Sequence, residues 1–224
     1  MKLFNRMSLK RKMIFSISLS LIIIIAFINF YIFQHMKDNI IKQEKAKLNE
    51  VGSAMQMKID ARISEAKTAV MTVASNPEVK KAFAERDRQK LSNMFEESYQ
   101  EISENIAQFH FHLPDSSSFL RLHNINKYGD DLSSFRHTVN EANQSKEIVS
   151  GIEEGRGGYG FRVVVPINYE GNHVGTVEMG ADMGNDFLQE IKSNFGGEYY
   201  IYSLSEKSGN ISDKENNSPW IAST

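Results

Sequence analysis

Arg121, His123, Asp130, Asp131, Arg136, Glu153, Glu154, Arg156 and Arg162 all fall between Phe119 and Pro166, among apolar and aromatic residues with the character of strands. Charge on a strand is costly to bury unless it is paired or meets a ligand, so this concentration marks a candidate polar pocket. Alternation along Phe119 to His123 places Phe119, Arg121 and His123 on one face and Leu120 and Leu122 on the other. Farther on, Arg162 opposes Phe161 and Val163, and Glu178 shares a face with Thr176. The planar fork of arginine donates two parallel hydrogen bonds to a carboxylate, and a charge-assisted bond of this kind contributes roughly 1.5 to 3 kcal/mol. The chemistry expected is therefore recognition of a small anion or polar metabolite. The competing reading is internal, with Arg121, Arg136 and Arg162 paired to Asp130, Asp131, Glu153 and Glu178 and with Asp131 spent on capping a helix.

Other chemistries find less support. His110 and His112 share a strand face, as some metal pairs do, and His123 and His137 follow. With no cysteine, no HExxH and no fixed third ligand, ordinary histidines are expected, with neither metal nor cofactor. Gly155, Arg156, Gly157 and Gly158 lie between two strands with no GK[ST] after them, so they read as a tight hairpin instead of a phosphate loop. No GxSxG and no serine in a nucleophile context is present, so the chain is not expected to be an enzyme. A hydrolase built on paired carboxylates stays open as a rival without a specific feature in its favour.

The elements that must hold these residues follow from periodicity. From Gln34 to Ser75 there is no proline, and Leu48, Val51, Met55, Ile59, Ile63, Ala66, Val70 and Val73 fall in steps of three and four, the spacing of one helix face. This stripe has two readings, packing against the chain's own fold and, near its start, pairing with a second copy in a parallel dimer. Asn76, Pro77 and Glu78 read as N-cap, first-turn proline and first-turn acid, restarting a helix through Phe83. Leu91, Met94, Phe95, Tyr99 and Ile102 predict a further helix over Arg88 to Asn105. After Ile106 the period drops to two. Strands are expected around Phe109 to Leu113, Phe119 to His123, Ile148 to Glu153, Tyr159 to Ile167 and His173 to Gly180. Between the second and third, Leu132, Phe135, Val139 and Ala142 predict a short helix capped by Asp130 or Asp131. The fold class is thus α+β, a PAS-like module with a five-stranded antiparallel sheet backed by the entering helix. Beyond it, Met183 to Phe195 predicts an amphipathic helix, Glu198 to Leu204 a strand, and Ser205 to Ser218 a polar tail.

Met13 to Phe33 is a run of 21 residues without charge. At about 1.5 Å rise per residue it matches a hydrocarbon core of roughly 30 Å. Lys2, Arg6, Lys10, Arg11 and Lys12 precede it with no acid among them, which puts the N-terminus in the cytoplasm and the remainder outside. The rival is a cleaved signal peptide. The run is longer than a usual apolar region of that kind and no small-x-small site follows it, so an uncleaved anchor is expected. The first twelve residues carry five positive charges, so the formal net charge of −2 leaves −7 for the rest. No basic stripe is present for nucleic acid.

The segments FLRLHNINKYGDDLSSFRHTV and GIEEGRGGYGFRVVVPI, followed by GTVEMG, resemble the double Cache class of extracellular sensor domains in bacterial chemoreceptors and sensor kinases. The resemblance covers roughly Gln34 to Ser203. It implies a long N-terminal helix, PAS-like modules, and a pocket for a small metabolite such as a carboxylate or amino acid. The positions it carries over as ligand-binding are Arg121, His123, Tyr128, Asp130, Asp131, Arg136, Glu153, Arg156, Arg162 and Glu178. The expected organisation is a cytoplasmic basic segment over 1–12, a transmembrane helix over 13–33, a helical stalk and spine over 34–105, a Cache module over 106–182 and the start of a truncated second module over 183–224. On that reading the chain is a fragment or a truncated product of a membrane receptor that dimerises through its stalk. A chemoreceptor output is favoured over a histidine kinase or a cyclic-dinucleotide enzyme. An anchored hydrolase and a structural tether are the rivals from other classes.

Overall fold

The computed structural model describes residues 8–155, 158–202 and 220–223. Arg156 and the polar stretch from Ser205 to Ser218 therefore lie outside the described residues. Two compact units are present, residues 1–54 and 55–224. Helix α1 runs from Leu9 to Ser75. It is the one helix among the described residues long and apolar enough to cross a membrane. The side chains of its uncharged run are exposed, Phe27 at 71 %.

In the second unit α1 ends where the sequence predicts. The Asn76 side chain accepts from the backbone N–H of Glu78 at 2.9 Å and of Val79 at 3.4 Å, which caps α2 (Pro77–Ala84). Asp87 caps α3 (Arg88–Ile102) through the Lys90 N–H. The chain then enters the sheet: β1 (Gln108–His112), β2 (Ser118–Arg121), β3 (Val149–Gly155), β4 (Gly158–Tyr169) and β5 (Asn172–Asp182), all antiparallel in the order β2-β1-β5-β4-β3. Helix α4 (His137–Ser145) lies between β2 and β3 in sequence, and α5 (Asn185–Phe195) follows β5. A separate two-stranded sheet pairs β6 (Tyr200–Tyr202) with β7 (Trp220–Ser223).

Period-two alternation gives this sheet two unlike faces. One meets α1, α2 and α3 and forms the main core, where Ala66, Val70, Val79 and Phe83 pack on Phe109, Phe111, Leu120, Val163, Val165, Val177 and Met179. Aromatic pairs tie the layers, Phe83 to Phe111 at 5.3 Å and Phe95 to Phe109 at 5.1 Å between ring centroids. The other face is covered in part by α4, through Val139 and Ala142 against Val164 and Val149. The remainder of that face is polar, and it carries the charged residues.

Two local expectations need correction. The strand Phe119 to His123 stops at Arg121, and Leu122–Asn124 is a 3₁₀ turn, so His123 is not on the sheet. A register shift opposite Phe111 and His112 leaves Phe119 as an extra residue. Phe119 and Leu120 consequently both reach the core cluster, while Arg121 keeps the opposite face. The helix predicted from Leu132 begins only at His137 with Arg136 as its N-cap, and neither Asp130 nor Asp131 caps it. The Asp131 carboxylate instead accepts from the Ser133 N–H at 2.8 Å in a turn.

Candidate functional site

Strand register assembles the polar face in rows. Arg121 of β2 lies opposite His110 of β1, which lies opposite Glu178 of β5, which lies opposite Val164 of β4. The next row holds Ser118, His112 and Thr176, and the row on the other side holds Gln108, Gly180, Arg162 and Gly151. Residues far apart in sequence meet because β5, which carries Glu178, is the middle strand.

Glu178 is the hub and has no exposed surface. Arg136, reaching in from just before α4, donates from Nη2 to both Glu178 oxygens at 2.7 Å and from Nε to Glu153 Oε2 at 2.7 Å. Glu153 also accepts from the Thr138 N–H at 2.7 Å and the Thr138 hydroxyl at 2.8 Å, which fixes the first turn of α4. Arg162 Nε stands 3.7 Å from Glu178 Oε1, and His112 Nε2 stands 3.3 Å from Glu178 Oε2. Burial alone would raise the Glu178 pKa, but Arg136, Arg162 and His112 outweigh it and pull the carboxyl down to about 2. Burial likewise works against the Arg136 cation, and Glu178 and Glu153 reverse it, holding the guanidinium charged.

Beside this hub two imidazoles lie in contact, with centroids 3.9 Å apart and ring planes tilted by 52°. His110 Nε2 bonds the Ser118 hydroxyl at 2.8 Å, and His112 Nδ1 bonds that of Thr176 at 3.2 Å. Burial is the largest influence on both, pushing His112 down to about 3 and His110 well below its ordinary value. Both are therefore neutral at pH 7. At the β2 end Arg121 makes a bidentate pair with Asp130, 2.6 and 3.0 Å, and donates to the Lys127 carbonyl at 2.7 Å.

Arg121, Asp130, Arg136, Glu153, Arg162 and Glu178 thus gather on one face of the sheet, each arginine beside one of the chain's own acids. His123 sits at the margin, exposed, its ring edge-on to His110 at 5.9 Å. Tyr128 is 57 % exposed and Asp131 is exposed outside the network. Sequence reasoning missed Ser118, Thr138 and Thr176 as hydroxyl partners, for which no spacing signal exists. It also missed Gly160 and Gly180. A Cβ on Gly180 would stand 2.6 Å from the Phe161 carbonyl and 3.0 Å from Arg162 Nη1, and one on Gly160 would stand 3.0 Å from Arg162 Cζ. The two glycines leave the bed in which the Arg162 side chain lies. Gly180→Ala is expected to destabilise the chain by about 1–3 kcal/mol and to displace Arg162, read as a lowered thermal midpoint. An unchanged midpoint would show that the bed tolerates a methyl group.

His110, His112 and Glu178 offer three donor atoms within 4.8 Å of one another, a spacing that raises the question of a metal ion. The surroundings disfavour one. Both Glu178 oxygens are taken by Arg136, and Arg162 stands beside them, so a cation placed there would displace one guanidinium and be repelled by two.

A helix-backed antiparallel sheet with a buried, charge-lined face defines an α+β module of the PAS-like sensory kind. The model of the family described as the double sensory domain of two-component sensor kinases matches residues 41–219, and the chain belongs to this double Cache family. The sensor domain of DcuS from E. coli is similar over 63 % of this chain and 99 % of its own, with 17 % identity and a TM-score of 0.50. The periplasmic domain of LuxQ from Vibrio cholerae is similar over 78 % of this chain and 77 % of its own, with 15 % identity and a TM-score of 0.50. These likenesses establish the Cache-like fold. No curated protein shows a significant sequence match.

Proposed function

We propose that this chain is the membrane-anchored, extracytoplasmic input region of a two-component sensor kinase, and that it binds a small carboxylate or amino acid on the charged face of its five-stranded sheet. The family description supports a kinase output over the chemoreceptor output that the sequence favoured. The basic N-terminus and the apolar part of α1 support a single span with residues after 33 outside. The stalk stripe supports a homodimer, and the organisation into basic segment, span, spine, Cache module and start of a second module is part of the same reading.

The observation that carries the ligand assignment is the Arg121–Asp130 pair. Each guanidinium of the cluster stands near an acid, so an incoming carboxylate must replace one. The acids facing Arg136 are buried, whereas the Asp130 side chain retains 25 % exposure. A ligand carboxylate exchanging with Asp130 on Arg121 therefore costs the least desolvation.

A thermal-shift panel of organic acids and amino acids tests this. At least one is expected to raise the midpoint, Arg121→Ala to abolish the shift, and Asp130→Asn to tighten binding severalfold by removing the internal competitor. A panel without any shift, or a shift that survives Arg121→Ala, overturns the assignment.

A further inference from the structure

Arg88 breaks a local rule. It is the first residue of α3, where a cation opposes the helix dipole by roughly 0.3–1 kcal/mol, and the acid that complements that dipole is the capping Asp87. Its interactions all lie elsewhere. The guanidinium donates from Nε to the Phe119 carbonyl at 3.1 Å and from Nη2 to the Ile125 carbonyl, and its Cζ lies 3.7 Å above the centroid of the Tyr128 ring. β2 is the edge strand, so Arg88 reaches around that edge from the helix layer to the segment 122–130. Within that segment His123, Asn124, Asn126, Lys127, Tyr128 and Gly129 are all exposed. Leu122 anchors its start in the main core, and Ser118 holds its end through two backbone bonds, the Gly129 N–H to the Ser118 carbonyl at 2.8 Å and the Ser118 N–H to the Asp130 carbonyl at 2.9 Å. Between these ends the side-chain holds are the Arg88 grip on one side and Arg121, through Lys127 and Asp130, on the other. On its inner side His123 stands edge-on to His110, which is 2 % exposed.

We infer that segment 122–130 is a strap over the Arg121 end of the site and that Arg88 is its positioning residue, fixing the strap to α3. A ligand that takes Arg121 from Asp130 and Lys127 removes the inner side-chain hold and leaves the backbone bonds at Ser118, so the middle of the strap, which Arg88 grips, shifts and carries the start of α3 with it. This consequence rests on the ligand reading above. The strap itself does not, so the two fail separately.

The test needs no ligand. Hydrogen exchange of the full chain in detergent is compared for wild type, Arg88→Ala and Arg88→Lys, with diethyl pyrocarbonate labelling of His110 as a probe of access by a metabolite-sized molecule. In Arg88→Ala the amides of Lys127 and Gly129 are expected to exchange at least tenfold faster, and His110 to label severalfold faster, while α4 and β4 keep wild-type protection. Arg88→Lys is expected to give no rescue, because an ammonium supplies neither the planar fork nor the stacking on Tyr128. Unchanged exchange at 127 and 129, an increase spread evenly over the sheet, or rescue by lysine overturns the assignment.

Discussion

Glu178→Gln is expected to destabilise the second unit by roughly 3–5 kcal/mol. The carboxylate has no exposed surface and answers two buried guanidiniums, Arg136 at 2.7 Å and Arg162 at 3.7 Å. An amide keeps the shape and removes the charge. Arg136 then retains Glu153, but Arg162 and Arg136 face each other across a neutral group in a medium where repulsion is poorly screened. Arg136→Met removes the same contact from the other side, leaving Glu153 with only its Thr138 bonds and Glu178 with Arg162 as its remaining cation. The two substitutions share one interaction, so the double variant is expected to lose much less than the sum of the singles. Thermal or denaturant unfolding of the detergent-solubilised chain measures all three. A loss below about 1 kcal/mol for Glu178→Gln, or simple additivity, would show that the hub contributes nothing as an ion pair.

How much of this was legible in advance follows from where each interaction is encoded. Caps and stripes are local, so Asn76 before Pro77, and Ala66, Val70 and Val73 along one helix face, could be read directly and stand in the structure as read. The five strands were legible from alternation, and so was the presence of Arg121, Arg162 and Glu178 on polar faces. Alternation failed where the backbone leaves the regular pleat. At Phe119 the bulge inserts a residue, and after Arg121 the chain turns, so a period-two count carried His123 onto a strand that had already ended. The helix start failed for a different reason. Leu132 and Phe135 continue the spacing of Val139 and Ala142, and a turn does form there, with the Arg136 N–H on the Leu132 carbonyl at 2.9 Å. Arg136 interrupts the helix with φ −101° and ψ 81°, and from that position its guanidinium reaches Glu178 and Glu153. A tertiary ion pair overrides a local period. Who pairs with whom was not legible at all, because it depends on strand order, and nothing local brings the middle strand β5 between β1 and β4.

Acid is expected to unfold this domain earlier than its carboxylates alone would require, and the histidines set the onset. His112 is neutral in the folded chain down to about pH 3, whereas the unfolded chain takes up its proton near 6.5. Between those values the unfolded state binds more protons, so stability falls as pH falls. At about 1.4 kcal/mol per pH unit, His112 alone removes about 2 kcal/mol between pH 6.5 and 5. His110, held low chiefly by burial and then by its neighbours His112, Arg121 and Arg136, adds in the same direction. Glu178 acts later with the same sign, since its stabilisation is complete above its ordinary pKa and is lost as pH drops toward about 2. His112→Gln, which keeps a polar atom near the Thr176 hydroxyl and cannot titrate, should lower the slope of the upper limb to what His110 alone contributes and leave the lower limb in place. Glu178→Gln should do the reverse at a lower overall stability. Midpoints measured from pH 7.5 to about 2 for the three proteins separate the limbs. A wild-type profile flat between pH 7 and 5.5 would mean that the imidazoles are solvated when folded, which the buried, closely packed pair does not allow.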